Sequence, residues 1–222
     1  MTSGFKRTVG CVLVGSLLLL SGCQIFGIFA QAMPNNVAAA YPGLKGNDVT
    51  VLVWTEHATA TDWPAMAIDI TAGVQNKLKA AQASDKPKEL EGTTFPVTPQ
   101  SVAKFQMTHP EAASMPIVDV APIVGVKRLI YVEVTKFQTH SDMAVNTDLY
   151  RGQITAEVRV VELANGKAKI AYQDSVTAKY PGNAPTDGVT GLGDSKTYVG
   201  TLDAFCTVLA QRFYKHEEDP ND

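Results

Sequence analysis

The stretch from Arg151 to Tyr180 limits the fold more than any other. Ile154, Ala156, Val158 and Val160 alternate with Thr155, Glu157 and Arg159, a period of two that gives a strand one apolar face. Asn165-Gly166 then supplies the residue pair favoured where both central positions of a tight turn take positive φ. Lys169 to Tyr180 returns as the partner strand, with Ile170, Tyr172 and Val176 as its apolar residues. A hairpin of this length has to lay its apolar face against other elements, and the chain provides them. Lys127 to Phe137 is the strongest single strand, with Ile130, Val132 and Val134 on the buried parity and Glu133 on a mixed one. Asp48 to Trp54 is nearly continuous in β-branched and apolar residues, the pattern of a strand covered on both faces in the middle of an α/β sheet.

Helical spacing appears between these strands. Trp63, Ala67, Ile70, Val74, Leu78 and Ala81 recur every three or four residues, which predicts a helix starting at Trp63, capped by Asp62, with Pro64 in its first turn. Thr55 to Thr61 and Ser84 to Gly92 read as loops, and Thr93 to Val97 as a short edge strand, because Pro96 cannot donate to a ladder. Thr98-Pro99 opens a second helix that stops before Pro110, and Ile117 to Val120 forms a short helix or turn leading to Gly125. Pro181 to Gly193 is a long loop. Tyr198, Leu202, Phe205, Leu209 and Phe213 mark a closing helix capped by Asp194 or Ser195. The predicted class is α/β (α+β): a central mixed sheet of about four to five strands with a C-terminal β-hairpin, flanked by about three to four helices, the last of them closing the fold.

The first residues follow a different logic. Lys6 and Arg7 precede an apolar run from Val9 to Leu20, 12 residues long, which is too short to span a bilayer. The run ends in Leu20-Ser21-Gly22-Cys23. This stretch resembles the signal and lipobox of bacterial lipoproteins. The resemblance implies cleavage before Cys23, a diacylglycerol on its thiol and acylation of the new amine. Several acyl chains anchor stably where one does not, since each buried methylene contributes about 0.8 kcal/mol. In the same family an aspartate after the cysteine marks inner-membrane retention. Gln24 stands there, which points to the outer membrane, facing the periplasm. The expected division is a signal peptide over 1–22, a lipidated cysteine and linker over 23–47, one periplasmic domain over 48–216 and a charged tail over 217–222.

Processing at Cys23 leaves 200 residues and removes Lys6 and Arg7, so the formal net charge moves from -3 to -5. A mildly acidic chain without a basic run is a poor nucleic-acid binder. Cys11 leaves with the signal and Cys23 takes lipid, so Cys206 stands alone in an apolar helical pattern and reads as a small buried hydrophobe.

Three pieces carry a further resemblance. Val49-Thr50-Val51-Leu52-Val53 sits as an opening strand, Ala121 to Val134 runs helix, glycine turn and central strand, and Val158 to Lys167 enters a glycine hairpin. Their order resembles the periplasmic domain shared by the curli-secretion-channel lipoproteins, the lipoprotein activators of penicillin-binding proteins and the N-terminal domain of the Tol-system β-propeller protein. The channel branch carries long alternating segments for membrane hairpins, which this chain does not repeat, and no propeller follows the domain.

Candidate chemistry is sparse. His57, His109, His140 and His216 show no zinc-like spacing, no Gly-x-Ser-x-Gly elbow occurs, and Gly191 to Ser195 lacks the Gly-Lys ending of a phosphate loop. Glu133 and Glu157 read as outward sheet residues. Ligands gather at the carboxyl ends of strands in open α/β sheets, so Thr55, Glu56, His57 and Asp62 form the candidate ligand rim. The expected protein is not an enzyme and needs no cofactor or metal. It is an envelope lipoprotein that serves as an accessory, assembly or partner-binding module, attached to the membrane by its lipid and to another envelope protein by its domain. The alternatives are an oligomeric secretion-channel component and a hydrolase or metal enzyme built on Glu56, His57 and Asp62.

Overall fold

The computed structural model describes residues 35–84, 86–141 and 148–218. The signal over 1–22, the lipobox residues Leu20, Ser21, Gly22 and Cys23, and the tail beyond 218 lie outside the described residues. Asn35–Val37 (β1) pairs with the strand His216–Glu218 in a two-stranded sheet. The larger unit runs from Ala38 to His216. It includes Tyr41 and Leu44, which the sequence placed in the linker; both are buried.

The larger unit is built on four strands. Val49–Thr55 (β2) leads through two helices, His57–Asp62 (α1) and Met66–Ser84 (α2), then Pro99–Thr108 (α3) and Ile117–Val124 (α4). Arg128–His140 (β3), Tyr150–Ala164 (β4) and Lys167–Tyr180 (β5) follow, and Asp194–Gln211 (α5) closes the unit before β6, the His216–Glu218 strand. The sheet order is β2-β3-β4-β5, with β2 parallel to β3 and the other pairs antiparallel. The α/β (α+β) class, mixed sheet, hairpin and closing helix are as the sequence predicts. Asn165 and Gly166 take φ of 52° and 72°, the two positive values that the tight turn between β4 and β5 requires.

The sheet carries helices on both faces. On one face α2 and α5 bury Ile70, Val74, Leu78, Phe205 and Leu209 against Val51, Val53, Ile130, Val132, Ile154, Ala156 and Val158. Two contacts there depend on missing side chains: a Cβ on Gly152 would overlap Thr201 of α5, and one on Gly73 of α2 would press on Cys206. On the other face α3 and α4 bring Val102, Ile117, Val120 and Ala121 over Leu52, Leu129, Tyr131 and Val161. That cover stops short of the distal sheet, where Glu133 and Glu157 sit directly opposite each other and Glu133 lies 3.6 Å from Arg159.

Helix α1 replaces the loop expected over Thr55 to Thr61, and four further local expectations are corrected. First, β2 is an edge strand. It reads as central because both faces are covered and its edge is closed too: Val49 N–H donates to the Thr94 carbonyl at 2.8 Å and Gln106 Nε2 to the Val53 carbonyl at 2.7 Å. Second, the long helix starts at Met66, while Trp63 ends α1 with φ -131° and ψ 68°. A residue before proline is pushed out of the α region, so Pro64 forces the break at Trp63, and Asp62 becomes the last residue of α1 instead of a cap. Third, Thr93 to Val97 makes one bridge, Asp48 to Thr94, and not a strand. Fourth, Gly193 precedes α5, and Asp194 sits inside the helix, where its carboxylate accepts from Thr139 and lies 3.2 Å from His140 Nε2. Thr98 caps α3 as predicted, its hydroxyl accepting from Ser101 N–H at 3.2 Å.

At the amino ends of β2 and β3 the incoming chain is pinned by charge. The Tyr41 hydroxyl donates to Glu162 at 2.8 Å, Lys169 lies 3.1 Å from the same carboxylate, and Arg128 Nε donates to the Gly43 carbonyl at 3.0 Å. The Tyr41 hydrogen bond, with Lys169 and Arg128 behind it, holds the Glu162 carboxyl below its usual range, while burial drives the Tyr41 phenol up.

Candidate functional site

The carboxyl end of β2 opens into a cleft of about 470 Å³ that straddles the edge of the sheet. One wall comes from the turn after β2 and from α1 and α2: Thr55, His57, Trp63 and Ala67. The other comes from α3, with Gln106 and Met107, and Ala113 beyond it. Trp54 lies between them. The pre-proline break builds the first wall, because it turns the chain at Trp63-Pro64 and leaves the indole beside the strand end. Trp63 stacks on Tyr198 with centroids 4.6 Å apart and meets Phe137 edge-on at 5.5 Å. Tyr198 donates to Asp69 at 2.8 Å, and its phenol is pushed up by burial first and that carboxylate second. The aromatic wall is therefore held from behind by an ordered cluster.

Of the four candidate rim residues, the structure brings Thr55 and His57 to the cleft. Glu56 is the exposed residue before α1, with no side-chain cap bond, and Asp62 is exposed at its end; neither lines the cleft. The acid and imidazole set of the enzyme alternative, Glu56, His57 and Asp62, does not line this cleft together. Among the described residues no group of three His, Cys, Asp or Glu side chains is placed to hold a metal ion.

The sequence reading missed Gln106 and Met107 as cleft residues and named Trp63 only within a set of aromatics for a groove or the core. Met107 is 83 % exposed, the highest value among the exposed large apolar side chains of the described residues. Its position off the buried face of α3 was the available signal. The Trp54 indole N–H is buried with no hydrogen-bond partner.

Other reactive groups are accounted for elsewhere. Cys206 is buried, its thiol lies 3.8 Å from the Ile70 carbonyl, and burial pushes it up to about 12, so it is an inert core residue as expected. His109 stacks on Phe105 at 4.7 Å, and His140 packs on Tyr150 at 4.6 Å.

The class these features define is a mixed α+β domain whose sheet has one sealed face and one partly covered face, with an aromatic cleft at the end of the edge strand. No family model and no curated protein matches the chain. Among solved structures it is similar to the PelC dodecamer from Paraburkholderia phytofirmans, at 12% identity and a TM-score of 0.41, covering 83% of this chain and 100% of that one. It is similar to the hypothetical protein CT253 from Chlamydia trachomatis, at 17% identity and a TM-score of 0.39, covering 61% and 72%. It is also similar to lipoprotein GNA1162 from Neisseria meningitidis, at 15% identity and a TM-score of 0.35, covering 62% and 84%. At these values no residue role passes from those proteins to this chain. No helix among the described residues is long and apolar enough to cross a membrane.

Proposed function

We propose that this chain is an envelope lipoprotein, acylated at Cys23 and held on the periplasmic side of the outer membrane, whose domain works without catalysis as an accessory, assembly or partner-binding module. The observation that carries the reading is the apolar run ending in Leu20-Ser21-Gly22-Cys23, which unites a processing site and an attachment residue in one motif. The cleft supports the binding half. Its walls are largely apolar and aromatic, Met107 stands exposed on it, and Thr55, His57 and Gln106 add polar groups. Such a surface gains free energy by covering apolar area and sets orientation with a few polar contacts.

The experiment compares the wild-type chain with Cys23→Ala in cells fed an alkyne fatty acid. Wild type takes up label, has Cys23 as its first residue by mass and fractionates with outer membranes; Cys23→Ala does none of these. An unlabelled wild-type chain cut elsewhere contradicts the lipid half. Purification from detergent-solubilised membranes tests the other half. An envelope protein that comes down with wild type and is lost from Cys23→Ala supports a tethered module, whereas a closed ring of this chain alone replaces that reading with the secretion-channel alternative.

A further inference from the structure

The two edges of the four-stranded sheet end differently. Along β2 the edge is closed by Thr94 and Gln106. Along β5 the sheet order ends, and no strand of the described residues pairs with its outer side. The backbone parity of β5 follows from β4. Leu163 N–H donates towards β3, to the Lys127 carbonyl, whereas Tyr150 N–H donates to Val189, on the other side. Odd residues of β4 therefore bond towards β3 and even ones towards β5. Asp174 and Val176, opposite Val158 and Ala156, bond back to β4. That leaves Gln173, Ser175, Thr177 and Lys179 with their N–H and carbonyl groups pointing outward, and all four residues are exposed.

Such an edge is a template for another strand, and natural sheets guard it with charge, proline or a bulge. Here the guards stand at the ends. The register shift at Val160-Val161, Lys167 and Lys169 lie towards the hairpin turn, and Lys179 and Pro181 at the far end. Between Gln173 and Ala178 the one charge is Asp174. Its carboxylate accepts from the Ser175 N–H at 2.9 Å and is held by the Tyr172 hydroxyl and Arg212. It fills one donor position of the edge and leaves those of Thr177 and Lys179 open.

Helix α5 decides what fits there. It lies over the gap between β4 and β5: a Cβ on Gly152 would overlap Thr201, and one on Gly200 would overlap the Tyr180 ring. Arg212 lies 3.3 Å from Asp174, so α5 runs antiparallel to β5. Cys206 touches Ile70 of α2. Ala204 and Val208, two residues to either side of it, fall on the opposite flank of α5, half-buried, on the side of the open edge. Neighbouring strands are about 4.8 Å apart. A second β5 laid antiparallel on the first would set the two α5 helices two strand spacings apart, about 9.6 Å, within the roughly 8–10 Å at which helices pack. The levels agree too. Val208 is about 12 Å along α5 from Gly200, and Val176 is about 13 Å along β5 from Tyr180. An unrelated extended segment would fill the ladder but leave Ala204 and Val208 uncovered.

We propose that the outer edge of β5 is a docking surface for a second copy of this chain, paired antiparallel about a two-fold axis at Val176. Thr177 of one copy then stands opposite Ser175 of the other, Lys179 opposite Gln173 and Tyr172 opposite Tyr180, so no lysine faces a lysine. The Ser175 N–H passes from Asp174 to the Thr177 carbonyl of the other copy, and Val208 meets its counterpart above the axis. Both copies offer the same patch, so the assembly closes at two. It uses neither the lipid nor the cleft, which lies at the opposite edge of the sheet.

The test uses the full chain purified from detergent-solubilised membranes, with its mass followed by sedimentation over a concentration series. Wild type gives the mass of two copies. Thr177→Pro removes one outward N–H, leaves the β4 ladder intact and gives single copies that still unfold cooperatively. Val208→Lys sets two like charges beside the axis and has the same effect. Ser175→Cys mixed with Thr177→Cys forms a disulfide-linked pair joined at those positions, because opposite Cα atoms of a hydrogen-bonded pair lie about 5.5 Å apart; neither variant alone links there. A wild type that stays single at every concentration, a ring of more than two copies, a pair that survives Thr177→Pro, or equal linkage in the unmixed variants would each overturn the proposal. Linkage from these positions to another envelope protein would give the edge to that partner and overturn it as well.

Discussion

The two faces of the sheet are packed to different standards. The α2/α5 face is a sealed core in which Phe205, Leu209, Ile70 and Val74 meet four strands, and close approach is arranged by Gly73 and Gly152. The α3/α4 face is smaller, carries a cavity of about 190 Å³ under α3, and holds both the Thr50 hydroxyl and the Trp54 indole N–H without partners. Native interiors seldom leave buried polar groups unpaired. Stability therefore resides mainly on the first face.

The largest test of that contrast is Phe205→Ala, which opens a void in the sealed face and should cost about 3–5 kcal/mol in denaturant unfolding. On the other face Val102→Ala enlarges an existing cavity and should cost about 1–2 kcal/mol, roughly the methylenes removed. Equal losses from the two would erase the distinction. Thr50→Val removes an unpaired hydroxyl and should raise stability by about 1 kcal/mol; a loss of that size would mean the hydroxyl has a partner.

Proton linkage sharpens the same picture from the sealed side. Burial pushes the Cys206 thiol up to about 12, and burial with the Asp174 hydrogen bond pushes Tyr172 up to about 12. Both groups hold their protons more tightly when folded than unfolded. Their contribution is whole below their unfolded values of 9.0 and 10.0 and is lost as pH rises from there towards about 12. Unfolding free energy measured from pH 8 to 12 should fall, and Tyr172→Phe should fall less steeply above pH 10. Glu162 acts in the opposite direction: its lowered value contributes above the unfolded 4.5 and is lost as pH drops through the folded one, so Tyr41→Phe should flatten the acid limb. The smallest effect belongs to the surface. Lys77 and Asp203 are 2.7 Å apart but solvated, and Lys77→Ala should change stability by no more than about 0.5 kcal/mol.

The parts of this fold that could be read from sequence were those with strong periodicity. The alternation from Ile154 to Val160, the Asn165-Gly166 turn and the Thr98-Pro99 helix start are local, and local physics decides them. The misread parts depend on tertiary placement or on competing local rules. Val49 to Val53 is apolar on every residue, and that pattern cannot tell a central strand from an edge closed by Thr94 and Gln106. Trp63 carries the right helical phase, yet its neighbour Pro64 excludes it from the helix. His57 to Asp62 has no apolar stripe, so a single helical turn there left no trace. The cleft was half legible: the strand-end rule found Thr55 and His57, while Gln106 and Met107 arrive from a helix some fifty residues away.

The most direct test of the tethered-module account places a photo-crosslinking amino acid at Met107, on the cleft, or at Val199, on the exposed side of α5, and irradiates intact cells. The account predicts a discrete crosslink to another envelope protein from Met107, none from Val199, and loss of the Met107 product in Cys23→Ala. Equal crosslinking from both positions, or a Met107 product that persists without the cysteine, would contradict it.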